Sequence, residues 1–243
     1  MSLLTICQNV ADFTGFERET TIISNTSPTA RQLLALCQRE GKQLMRTTAW
    51  PILLKEHTFN TVSGTQSYAL PTDFDRFIGD TAFNRTDLDK FTGPLTPQQY
   101  QLDRHGSASA GITQRFRLKS SSNALKFDIT PTPTSAESIG FEYASSHWNQ
   151  KTDGTSQAAF TVDTDTGILD ELLIEMGVTW RFKQMHGLDY AASTDPNLSA
   201  LNQWFELYDD PEVKMFGNYL DWDILDQKQQ ELRNTMTEGQ RNF

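Results

Sequence analysis

Between residues 2 and 46 the apolar positions recur at the three- and four-residue spacing of helices. Leu3, Ile6, Val10 and Phe13 make one stripe, with Ser2 placed to cap it and Gly15 placed to end it. A second helix opens at Ser27-Pro28, where proline suits the first helical position, and carries Leu33, Leu34, Leu36, Cys37, Leu44 and Met45 to about Arg46. Gly41 inside it costs about 1 kcal/mol relative to alanine. Trp50-Pro51 closes the helical part.

From there to about residue 165 the period drops to two. Residues 57–62 and 66–70 read as a hairpin joined across Ser63-Gly64-Thr65. Phe116 and Leu118 alternate with Arg115, Arg117 and Lys119; Leu125, Phe127 and Ile129 alternate with Lys126 and Asp128; Phe141 and Tyr143 continue the pattern. Short strands with one apolar and one polar face predict a small antiparallel sandwich or barrel. One strand stops abruptly: in Tyr68-Ala69-Leu70-Pro71-Thr72-Asp73-Phe74, Pro71 lacks an N–H and pushes Leu70 away from the helical region, while Thr72 and Asp73 favour a turn.

The helical period returns at Ile168, with Leu169, Leu172, Leu173, Met176 and Trp180 as its stripe to about Met185, Gly187 as its stop, and Asp165 or Thr166 as its cap. Asp195-Pro196 opens a further helix with Leu198, Leu201, Phe205 and Tyr208 on one face. Helices at both ends pack together only if the strands between them are an insertion. The expected class is therefore α+β: a helical bundle built from 1–50 and 166–208, an inserted antiparallel β-domain over 51–165, and an extended C-terminal segment, 209–243.

Composition narrows the function classes. With 243 residues, 15 Phe and 5 Trp, the chain has ample material for a core. Its net charge is −10, and residues 189–243 hold 11 acidic against 4 basic groups, a poor balance for gripping phosphates. Cys7 and Cys37 each sit in an apolar helical pattern and read as buried thiols in a reducing compartment. MSLLTICQNV is not a signal peptide, and no window reaches the ~18 apolar residues of a membrane span.

Catalytic patterns are missing. His57, His105, His147 and His186 never stand at i, i+3 or i+4. Asp163-Thr-Asp165-Thr-Gly167 fails as a calcium loop because glycine comes one place early. Glu171 and Glu175, one turn apart, read as solvent-face charges. No nucleophile elbow, phosphate loop or dinucleotide fingerprint occurs. The expectation is no enzyme, no catalytic residue, no metal and no cofactor. The contrasting possibility is a carbohydrate-active cell-wall enzyme or glycan-binding module using the sandwich and an Asp/Glu pair.

Several stretches in order resemble the head-to-tail adaptor (head-completion, connector) proteins of tailed bacteriophages. They are Trp50-Pro51; Tyr68, Leu70, Pro71, Asp73, Phe74 and Arg76; Phe127 to Pro133; Phe141-Glu142-Tyr143; and Lys183 to Ala192. The resemblance covers residues 1–208 and implies a dodecameric ring under the portal that extends the DNA channel and offers a platform for the tail. A different virion ring, such as a tail-tube or tail-terminator subunit, is the nearest alternative. The partners it implies are the portal protein, a tail or nozzle protein, further copies of the chain, and duplex DNA passing through without tight binding. The location it implies is the virion's head–tail junction, after assembly in the bacterial cytoplasm. Phe216, Tyr219, Leu220, Trp222, Ile224 and Leu225, large apolar groups in an acidic tail, are the expected portal-docking residues; the other possibility is that this tail folds back on its own helices. The corner Tyr68, Leu70, Pro71, Asp73 and Phe74 is either a contact between subunits or a turn within one.

Overall fold

The computed structural model describes residues 1–105, 114–121 and 123–188. The expected helix at 196–208 and the tail 209–243 lie outside them. The described elements run α1 (Leu3–Thr14), α2 (Pro28–Thr47), β1 (Leu54–Asn60), β2 (Ser67–Ala69), β3 (Phe74–Phe77), β4 (Phe83–Asn84) and β5 (Asp89–Lys90). Then come α3 (Pro97–His105), β6 (Arg115–Ser121), β7 (Ala124–Thr130), β8 (Ser138–Ser145), β9 (Asn149–Gln150), β10 (Ser156–Gln157), β11 (Thr166–Gly167) and α4 (Glu171–Met185). The class is α+β. Two compact units form: Met1–Leu53 with the described residues from His147 to Leu188, and Leu54–Ser146.

In the first unit the expected caps are in place. Ser2 accepts from the Thr5 N–H, Gly15 ends α1 at φ 74°, and Ser27 accepts from the Ala30 N–H at the start of α2. Leu3, Ile6 and Val10 of α1, Leu33, Leu36 and Leu44 of α2, and Leu173, Ile174, Val178 and Phe182 of α4 share one apolar core. Trp148 and Phe160, from the β9–β11 stretch, fill it from the side.

The sequence pattern misplaces four features of this unit. Phe13 is 69% exposed, because the buried stripe of α1 runs through Cys7 and Ala11 instead. The α4 helix begins at Glu171, capped by Asp170, whose carboxylate accepts from the Leu173 N–H. Asp165 is no cap: fully buried, its Oδ2 accepts from the N–H groups of Thr161 and Val162 and from Gln157, while Thr166 pairs with β9. The buried face of α4 is Leu173, Ile174, Gly177, Val178, Arg181 and Phe182, leaving Leu172 exposed.

A buried ion pair joins that face to α2. Arg181 Nη1 donates to Glu40 Oε2 and to the Gly177 carbonyl (3.0 Å), and Nη2 donates to Gln43 Oε1 (3.0 Å). Glu40 is 0% exposed. Two glycines make the approach possible: a Cβ on Gly177 would collide with the Glu40 carboxylate, and one on Gly41 with the Trp148 ring. Gly41, an expense by helix propensity alone, is the seat of an indole. Glu175 is buried as well, not a solvent-face charge, and accepts from Asn9 Nδ2 at 2.7 Å.

In the second unit, β8 is the spine of one sheet. It pairs antiparallel with β1 along its length and with β3 and β4 on its other side, and β5 extends β4. A second sheet has the order β2-β7-β6. The expected 57–70 hairpin does not form: β1 pairs with β8 and β2 with β7, so residues 61–66 cross from one sheet to the other. The Gly64 turn is real, with the Thr65 N–H donating to the Val62 carbonyl, but it ends in the wrong partner for a hairpin. The sheets meet through aromatic rings. Phe127 stacks on Phe116 (4.4 Å between centroids) and on Phe141 of the facing sheet (5.3 Å), and Phe59 meets Tyr68 at 4.8 Å.

Candidate interaction site

The corner after β2 carries the chain back from the second sheet to the first. β2 ends at Ala69, the Phe74 N–H donates to the Pro71 carbonyl (3.1 Å), and β3 then pairs with β8, with an irregularity between Phe74 and Arg76. Tyr68, Leu70 and Phe74 are partly buried against the aromatic core, and Tyr68 OH donates to the Thr65 carbonyl at 2.8 Å. The acid at this corner faces the protein, at 9% exposure. Lys55 Nζ (2.7 Å), Tyr143 OH (2.9 Å) and Ser145 Oγ (2.8 Å) all donate to its carboxylate, and the Ser146 N–H donates to its carbonyl (2.7 Å). Sequence reasoning singled out Asp73 and, separately, Tyr143 as a strand residue, but did not bring Asp73 together with Lys55, Tyr143 or Ser145, which are 18, 70 and 72 residues away.

Burial alone would push the Asp73 carboxyl up; the hydrogen bonds from Lys55, Ser145 and Tyr143 override it and hold the pKa at about 2. Burial, then the Asp73 carboxylate, push the Tyr143 phenol well up. Burial lowers His57, which packs on Phe59 and Phe141, and Asp73 opposes that shift. A folded-state pKa below the unfolded one stabilises at pH above the unfolded value and is lost as pH falls through the folded one. The shift from 3.8 to about 2 corresponds to about 2 kcal/mol. The β8 amides should therefore lose hydrogen-exchange protection as pH falls from about 5 toward 2, and Asp73→Asn should be less stable at pH 7 and flatter across that window.

Among the described residues no group of three His, Cys, Asp or Glu is placed to hold a metal ion. His147 Nδ1 lies 3.2 Å from Ser156 Oγ, His186 packs at a tilt against Phe16 and Phe182, and the side chain of His105 lies outside the described residues. Cys7 and Cys37 are free thiols, Sγ to Sγ 3.7 Å. Phe216, Tyr219, Leu220, Trp222, Ile224 and Leu225 lie outside the described residues.

A family model described as SU10 adaptor protein matches residues 1–231, which carries the likeness past residue 208 and into the acidic tail. No curated protein matches the chain.

Proposed function

The chain belongs to the SU10 adaptor protein family, a family of phage head-to-tail adaptors, and from that premise we propose that it forms a ring beneath the portal, extends the DNA channel and receives the tail. The match over residues 1–231 carries this reading, since it spans both ends of the helical unit, the whole β unit and most of the tail. The family is structural rather than catalytic. No helix of the described residues is long and apolar enough to cross a membrane.

In this proposal the ring is dodecameric, and its net charge of −10 per chain lets duplex DNA slide without adhering. The tail docks on the portal through Phe216, Tyr219, Leu220, Trp222, Ile224 and Leu225, because large apolar groups among acids gain most by burial against another protein. The corner at Tyr68, Leu70, Pro71, Asp73 and Phe74 is a proposed subunit contact, with Asp73 setting its shape from inside.

Sedimentation of the full chain with portal rings of the same virus tests the reading. The expected result is a portal carrying one added ring. A chain truncated after Asp210 should keep its helical and β cores and fail to join the portal. Normal assembly by the truncated chain removes the tail as anchor, and no binding by the full chain removes the proposed ring.

A further inference from the structure

The β4–β5 turn closes on a left-handed position that is filled by leucine. Asn84 Oδ1 accepts from the N–H groups of Thr86 (2.9 Å) and Asp87 (3.2 Å), and Leu88 then takes φ 56°. That left-handed region suits glycine or asparagine; a bulky side chain there is an outlier. Leu88 is also 77% exposed, so the fold recovers almost none of its apolar surface. Asp87 and Asp89, both exposed, flank it. The nearby cations are engaged elsewhere, Lys90 with Asp80 and Arg85 with Glu56. The turn thus offers an apolar tip between two carboxylates that form no ion pair among the described residues.

The far end of the β6–β7 hairpin offers the converse. Lys119 stands directly opposite Lys126 across the two strands, and neither makes an ion pair among the described residues. Like charges directly opposite on a sheet repel. The next pair on the same face, Ser121 and Ala124, is small, so the aliphatic stems of the two lysines are not overhung by large neighbours on that side. The turn and the hairpin tip cannot meet within one chain. Leu88 shares a recess with Gln114, just before β6, and Lys119 lies five residues further along, roughly 16 Å away.

We propose that these two surfaces are the two halves of one contact between copies of this chain: Leu88 of one copy packs on the Lys119 and Lys126 stems of the next, while Asp87 and Asp89 meet their ammonium groups. The contact is heterologous, each copy giving a turn on one side and receiving one on the other, which is the arrangement that closes rings. It relieves the lysine repulsion and explains why a strained position holds leucine. It rests on the proposed ring and assigns residues to its subunit contact.

Reciprocal charge reversal tests it. Full-length Lys119→Glu/Lys126→Glu and Asp87→Lys/Asp89→Lys variants, each confirmed folded by its melting temperature, are sedimented alone and with portal rings beside the wild type. Each variant by itself should associate at least ~100-fold more weakly, because like charges now face each other. An equal mixture of the two should recover wild-type rings, because each reversed surface then meets its complement. Leu88→Gly should melt at the same or a higher temperature and associate ~10-fold more weakly. Wild-type rings together with unimpaired single variants, or no recovery in the mixture, overturn the contact and leave the ring standing. Loss of stability in Leu88→Gly overturns it by showing that leucine serves the fold. A lysine reversal that weakens binding of a DNA duplex while leaving rings intact also overturns it. A wild type that forms no ring, alone or on the portal, overturns contact and ring together.

Discussion

Arg181→Ala should cost about 3–5 kcal/mol, the largest loss from any single side chain in the helical unit, because it strands a buried carboxylate. Glu40 has no exposed surface, and its Oε1 already lacks a hydrogen-bond partner. Without the guanidinium its charge must be protonated or hydrated inside the core. Removing both charges is a different experiment. Glu40→Leu/Arg181→Met replaces the pair by apolar groups of similar volume and should recover most of the loss. Trp50, Trp148 and Trp180 pack in or against the helical core and no tryptophan occurs in Leu54–Ser146, so the urea midpoint read by tryptophan fluorescence is insensitive to the β unit. A single variant as stable as the wild type would show that the pair is not load-carrying; a double variant worse than either single would show that the charges are net stabilising.

Phe127→Ala should cost the β unit about 3–5 kcal/mol, comparable to much of a small unit's whole stability. Phe127 is fully buried and stacks on rings in both sheets, Phe116 and Phe141, so its removal opens a cavity that neither backbone can close. Phe127→Leu should cost less, roughly 1–2 kcal/mol, since it keeps most of the apolar volume and loses the stacking. Hydrogen exchange of the β7 and β8 amides measures both. Equal protection in Phe127→Ala and the wild type would mean that the sheets are held together elsewhere.

How far the sequence could be read follows from how local each feature is. Helix caps are local, and Ser2, Gly15 and Ser27 were legible because a hydroxyl or a missing Cβ acts within three residues. The strand at 124–130 was legible from Phe127 and Ile129, but its alternation fails at two other positions: Leu125 is exposed and Asp128 is buried, where Ser67 of the neighbouring strand donates to it. Pairing is not local. Residues 57–62 and 66–70 look like a hairpin, yet β1 finds β8 more than 75 residues away, and no signal in either strand marks that choice. Periodicity also treats charge as solvent-facing, which is why Glu40, Glu175 and Arg181 were invisible as core residues. Gly41 and Gly177 were unreadable for the same reason, since only the facing side chain reveals what they accommodate. At the corner, Pro71 and Asp73 announced a stop, but the lysine, tyrosine and serine that hold Asp73 come from other strands.

The sharing of one core by α1, α2 and α4 sets a timetable for synthesis. The ribosome releases α1 and α2 first, with Leu3, Ile6, Leu33 and Leu36 bare, and the groups that cover them, Leu173 to Phe182, emerge some 130 residues later. At ~5–20 residues per second that is an interval of roughly 7–30 s. The β unit lies wholly within it, so its sheets are complete before the helices can close. The nascent chain therefore spends its growth with a greasy N-terminal pair of helices waiting for a partner, and expression yield should depend on chaperone supply more than the finished protein's stability suggests.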